Sequence, residues 1–231
     1  IIGHVNYREG QYRQDQNGTR KTSGGMPTIP IRDITIQRRE NDLVAGSFGR
    51  GIFILDDITP IRNFNNNIAT TEATLFPVKE VKWYGQSSRV GSQGDAEWIA
   101  KNPPFGANFT YFMADNIKSK KDIRKEKEKK GNVKFPGWDA LEEESRQDGP
   151  SVLLIIKDEN GKVINTVNGT NKKGFNRVNW SLTYPNKSGE RLQVPRGRGG
   201  FRGGGVMATP GNYTVTLVKR VDGENTVLQG P

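Results

Sequence analysis

The sequence predicts an all-β chain carrying one charged, partly helical insertion, and three observations point there. Its apolar runs are short and several alternate strictly with polar positions. Among 231 residues, 28 Gly and 12 Pro punctuate those runs as turns punctuate strands. Hydrophobic residues make up 32%, polar for a globular protein but above the level of wholesale disorder. The length suits one large domain or two modest ones.

From Met26 the chain reads MPTIPIRDITIQRRENDLVAGSFGRGIFILDDITPIR. Ile31 to Gln37 alternates as a half-buried strand does, and RREND makes a polar turn. LVAGSFG and GIFILDDI follow, separated by Gly-Arg-Gly. This spacing predicts short antiparallel strands with tight connections. Gly46, Gly49 and Gly51 are expected at bulges or positive φ. Pro60, which has no amide proton, ends the pairing. Asn63 to Ala73 reads as a polar connector and ATLFPVKEVKWYG as one further strand. Residues 86–104 read as a linker with one apolar pair, Trp98 and Ile99, so a first region spans 1–85 and a second 105–231.

In the second region FGANFTYFMAD predicts an edge or first strand. Residues 117–149 interrupt as a surface insertion. Its first half, SKKDIRKEKEKK, is polar all round, so a helix there is solvated; PGWDALEEESRQ can place Trp138 and Leu141 on one helical face. SVLLIIKD and KVINTV flank Asn160-Gly161, the strongest short hairpin signal in the chain. GFNRVNWSL sets Val178, Trp180 and Leu182 on one face and Arg177, Asn179 and Ser181 on the other. PGNYTVTLVKR points Tyr213, Val215 and Leu217 inward. Strands of this kind bury those faces as two sheets closed on each other, a β-sandwich.

Net charge is +10, from 35 basic and 25 acidic residues. Lys118 to Lys134 holds nine basic and three acidic residues, and Asp139 to Asp148 holds five acids and Arg146. The two blocks nearly cancel, so no continuous phosphate-binding face is implied. Cysteine is absent, which excludes disulfides and thiolate metal sites. No run is long enough to span a bilayer as a helix. The chain starts at Ile1 with no signal-like leader, and we expect it to be a processed product or the end of something longer.

Two segments resemble known families. Arg32-Asp33, Gly49-Arg50-Gly51 and Leu55-Asp56-Asp57-Ile58-Thr59-Pro60, behind a Pro-rich lead, resemble the closing blade of the large β-propellers of the sortilin/VPS10-like and BNR-repeat class. ENGKVI, KKGFNRVNWSL and PGNYTVTLV resemble the immunoglobulin/FlgD-like sandwich found behind such propellers. The Ser-x-Asp-x-Gly-x-Thr-Trp boxes of BNR blades do not occur, and Asp15-Gln16-Asn17-Gly18-Thr19 is a degenerate echo. The resemblance therefore implies incomplete propeller strands in 1–85, with the rest upstream or on another chain. It further implies a bacterial protein that is secreted, periplasmic or at the cell surface.

Few residues suggest chemistry. Asp56 and Asp57 are neighbours on a strand and point to opposite faces, so they cannot flank one glycosidic bond. One is expected to cap the turn before Pro60 and the other to pair with Arg50 or Arg32. Together with Asp33 and Trp180, which is read as core, these residues are assigned structural roles. His4 is the only histidine; it cannot make a multi-histidine zinc site and sits too near a terminus for a catalytic triad. Asp158-Glu159-Asn160-Gly161 lacks the spacing of a calcium loop. Trp83 and Tyr84, beside the linker, are the exposed-aromatic candidates for a ligand. Sequons at Asn17, Asn108, Asn168 and Asn212 matter only in a cell that N-glycosylates. PRGRGGFRGGG, Pro195 to Gly205, has the composition of RNA-binding tails, but it is single and bracketed by strands, and reads as an inter-strand loop.

The expected role is that of a non-catalytic C-terminal portion of a secreted or cell-surface propeller protein. It would act in protein or glycan binding and assembly, with no cofactor and no metal. Its partner would be the upstream propeller segment or another chain. One alternative is the accessory part of a BNR-type glycoside hydrolase whose catalytic acids lie upstream. The other is RNA binding through the Arg/Gly loop, against which the bracketing strands argue.

Overall fold

The alternating run after Pro30 becomes strand β4 (Ile31–Gln37), and the apolar runs behind it become β5 (Asp42–Ser47) and β6 (Ile52–Leu55). In the computed structural model, residues 30–49, 51–84, 103–131, 135–185 and 206–230 are described in full. Three earlier strands, β1 (Ile2–His4), β2 (Tyr12–Asp15) and β3 (Gly18–Lys21), are described by their backbone. The sheet order is β1-β6-β5-β4, antiparallel except for β1, which runs parallel to β6; β2 and β3 form a separate hairpin. Gly49 and Gly51 have φ of 75° and 86°, which a side chain would strain, so the β5–β6 turn requires glycine there. Gly46 keeps ordinary backbone opposite the bulge in β4.

After Leu55 the chain leaves the sheet. Pro60 sits in the first turn of a short helix α1 (Thr59–Asn63), where its missing amide proton costs nothing. The polar connector holds a second short helix, α2 (Asn66–Thr70), capped by the Asn65 side chain on the Ile68 amide at 3.0 Å. The strand expected over ATLFPVKEVKWYG is confined to β7 (Ala73–Leu75), since Pro77 can donate nothing to a ladder. It does not extend the first sheet. It pairs antiparallel with β8 (Ala107–Met113), Leu75 opposite Tyr111, and so joins the sheet of the second region.

That sheet has the order β11-β8-β7, with β11 (Gly174–Trp180). Facing it is β10-β9-β12-β13, made of β9 (Ser151–Lys157), β10 (Val163–Gly169), β12 (Thr214–Val221) and β13 (Glu224–Gln229). Among the described residues the protein is thus mostly strand, in largely antiparallel sheets with few helices. The two sheets share one core: Phe109, Tyr111, Met113 and Trp180 from one, Val152, Leu154, Ile156 and Leu217 from the other. At Gly106 a Cβ would lie 2.0 Å from the Trp180 carbonyl oxygen, so this crossing admits only glycine. Asp158 to Lys162 makes the β9–β10 turn; the Asp158 carboxylate accepts from the Asn160 and Lys162 amides, and Gly161 takes φ 77°.

The insertion between β8 and β9 holds two helices, α3 (Lys120–Lys130) and α4 (Trp138–Arg146), neither with a buried residue. Ser119 and Asp122 form a reciprocal capping box at the start of α3. Arg124 clamps the two helices through a bidentate pair with Glu144, Nε–Oε2 2.7 Å and Nη2–Oε1 2.8 Å. No described helix is long and apolar enough to cross a membrane.

Candidate functional site

The most elaborate polar construction among the described residues lies where the first sheet meets the outer face of β11-β8-β7. It starts from backbone geometry. Asn41 and Asp57 both have positive φ, 59° and 47°, a region that Asn and Asp enter more readily than other side chains. The Asp57 carboxylate accepts from the Thr59 amide (3.1 Å) and hydroxyl (2.5 Å), while the Asp57 amide donates to Asp42 Oδ1 at 2.8 Å. Asn41 donates to the Thr59 hydroxyl at 2.6 Å, and its carbonyl accepts from the Ile58 amide at 2.9 Å. The β4–β5 turn and the corner after β6 are therefore braced to each other.

Arg177 of β11 closes the junction. Its Nη1 donates to the Asp56 carbonyl at 2.9 Å, Nη2 to the Asp57 carbonyl at 3.1 Å, and Nε to the Thr110 hydroxyl at 3.2 Å. A planar guanidinium suits this fork, because two carbonyls that leave a strand end together need two parallel donors. No carboxylate forms an ion pair with Arg177 among the described residues. Around it Phe64, Phe112 and Phe175 meet with ring centroids 4.9 to 5.5 Å apart, and Phe76 stacks on Phe175. Ile58, Pro60 and Phe76 are buried there. A cleft of about 310 Å³, counting its open mouth, runs between Leu55, Asp57, Pro60 and Ile61 on one side and Thr110, Phe175, Asn176 and Arg177 on the other. Lys79 adds a peripheral tie, pairing with the Glu40 carboxylate and holding that carboxyl below its usual range.

The residues singled out in the sequence fall in different places. Asp57 caps the turn before Pro60, and the carbonyls of Asp56 and Asp57 take the Arg177 fork. Arg50 lies outside the described residues. Arg32 lies over the Phe48 ring at 5.0 Å, and Asp33 stands opposite Gly46 on exposed β4. Trp180 is buried, its Nε1 donating to the Thr183 carbonyl at 3.0 Å and its ring edge-on to Tyr213. Trp83 and Tyr84 are 51% and 53% exposed, but each is anchored: Trp83 Nε1 donates to the Ala208 carbonyl at 3.0 Å and Tyr84 meets Phe105 edge-on. They flank the core and are remote in sequence from every residue of the cleft. His4 pairs in register with Ile54 on β1. The Arg/Gly stretch and most of the linker lie outside the described residues. Among the described residues no three His, Asp or Glu side chains cluster as metal ligands would.

Sequence reasoning placed Arg177 on a face without giving it a partner. Its acceptors are backbone carbonyls, which leave no trace in side-chain spacing. The legible signal was Phe112 and Phe175 on the strand faces opposite the core, which marks that outer face as covered. Comparison with models of protein families, with curated proteins and with solved structures finds no match to this chain.

Proposed function

We propose that this chain is the non-catalytic C-terminal part of a secreted or cell-surface β-propeller protein and that it serves binding and assembly. In this reading β4, β5 and β6 belong to the closing blade. The strands from β7 onward form an immunoglobulin/FlgD-like sandwich docked on that blade through Arg177 and the phenylalanine cluster.

The observation that carries the proposal is the state of the first sheet. No described residue between Ile31 and Leu55 is buried. Yet its register puts Ile34, Ala45 and Phe53 in one row of one face and Ile36, Leu43 and Leu55 in the next. The other face carries Val44, Ile52 and Ile54. A sheet apolar on both faces is written for burial between two neighbours, and blades stacked around a propeller axis supply such neighbours. The sandwich reading is supported by the three-on-four arrangement of sheets over one core. It is also supported by Tyr213 at the start of β12, whose hydroxyl donates back to the Thr209 carbonyl at 2.5 Å, the tyrosine-corner arrangement of immunoglobulin-like domains.

The test is to isolate the protein from its natural source. It should carry a further β-rich segment, on the same chain or in stable complex, that protects the β4–β6 amides from hydrogen exchange. A natural monomer with the mass of this chain, exchanging at β4–β6 as the isolated chain does, would sink the proposal.

A further inference from the structure

The helical insertion has a surface that the assembly role does not use. Lys120 N donates to Gln147 Oε1 at 2.9 Å and Arg124 pairs with Glu144, so α3 and α4 run antiparallel, and the end of α3 lies beside the start of α4. That tip carries two aromatic rings open to solvent, Phe135 at 58% and Trp138 at 79% exposure, in edge contact at 5.3 Å. Beside them the last turn of α3 presents Lys127, Lys129 and Lys130. None of these three forms an ion pair among the described residues, whereas Lys118, Lys120 and Arg124 further down all do. The acids nearby are Glu126, engaged by Lys118, Glu128, engaged by Arg124, and Asp139.

From this juxtaposition we propose that the hairpin tip docks on anionic lipid bilayers, Phe135 and Trp138 entering the headgroup region while the three lysines meet lipid phosphates. Exposed Trp with unpaired Lys is the pairing that interfacial anchors use, because the indole prefers the headgroup layer and lysine is drawn to negative surface potential. The two rings are inclined at 69° to each other, so they offer no shared flat platform for a sugar or base, while a soft planar surface accepts both. Phe135, Trp138 and the three lysines are exposed, so these side chains can approach such a surface.

The experiment uses the full chain and sedimentation with vesicles of phosphatidylcholine, with and without phosphatidylglycerol. Binding should require phosphatidylglycerol and weaken as salt rises. Changing Phe135→Ser with Trp138→Ser should lower the partition coefficient roughly tenfold or more, from the lost apolar burial. Changing Lys127, Lys129 and Lys130 to Gln should lower it on the order of a hundredfold, at about 1 kcal/mol per lysine. Trp138→Phe, which keeps an apolar ring, should retain most of the binding. All these sites are exposed, so the melting temperature should stay that of the unmodified chain. Equal binding to both vesicle types, or binding unchanged in both the aromatic and the lysine variants, would overturn the proposal. So would tighter binding to single-stranded RNA than to anionic vesicles at the same salt, which would make the tip a nucleic-acid surface.

Discussion

The β4–β6 sheet and the seven strands from β7 to β13 are both built from short apolar runs, yet they end in opposite states. In β8, β9 and β12 the core-facing positions are buried: Tyr111, Leu154, Ile156 and Leu217 have no measurable exposure. In β4 the equivalent positions stand open, Ile34 at 60%. The difference is that, among the described residues, the second region contains both layers of its core, while the β4–β6 sheet has apolar residues on both faces and none of them buried. An apolar face specifies what is to be buried; it does not supply what buries it. Between them the Arg177 fork to the Asp56 and Asp57 carbonyls, and Phe64 against Phe112 and Phe175, tie the corner after β6 to the closed module.

The sharpest way to break this comparison is to delete the same volume on each side. Leu154→Ala should cost about 2–5 kcal/mol in thermal or denaturant unfolding, as a cavity in a closed core does. Ile34→Ala in this chain should stay within about half a kcal/mol. Comparable losses at both sites would mean that the first sheet has a core of its own. The next largest effect is expected at the joint. Arg177→Met removes the fork to the Asp56 and Asp57 carbonyls, and should cost about 1–3 kcal/mol. It should also expose the segment from Leu55 to Asn63 to limited proteolysis, while Met leaves the apolar contacts in place.

Smaller changes sharpen the picture within the closed module. Tyr213→Phe deletes only the hydroxyl that donates to Thr209, and should lower stability by about 1 kcal/mol without altering the circular dichroism spectrum. The smallest effect concerns the helical insertion. Arg124 holds the Glu144 carboxyl below its ordinary value of 4.5. The contribution of that clamp is therefore fully present above that pH and is lost as pH falls through the lowered folded value. Acidification below 4.5 should raise amide exchange in α3 and α4 first, and Glu144→Gln should abolish that step.

The core of the second region could be read from the sequence because its information is local. Val178 and Trp180 alternate, Asn160-Gly161 needs a turn, and Pro210-Gly211 leads into Tyr213 and Leu217. The strand at Ala73–Leu75 was visible too, but its sheet was not, since pairing with β8 joins residues separated by a long linker and nothing local encodes that partner. The junction was legible in part. Thr59 and Pro60 marked a turn to be capped by one of Asp56 and Asp57 without saying which, whereas Arg177 addresses carbonyl oxygens that every residue possesses. The exposure of Trp83 and Tyr84 could be foreseen from their place beside the linker; the bond from Trp83 to the Ala208 carbonyl could not.

Native-state hydrogen exchange on this chain separates the closed region from the open sheet most directly. The amides of Leu154, Ile156 and Leu217 should exchange only through global unfolding, with protection equal to the full unfolding free energy. The amides that bond β5 to β4 and β6 should open well before that, through a sub-global step that leaves the module from β7 onward intact. Equal protection in the two regions, rising and falling together with denaturant, would contradict the account.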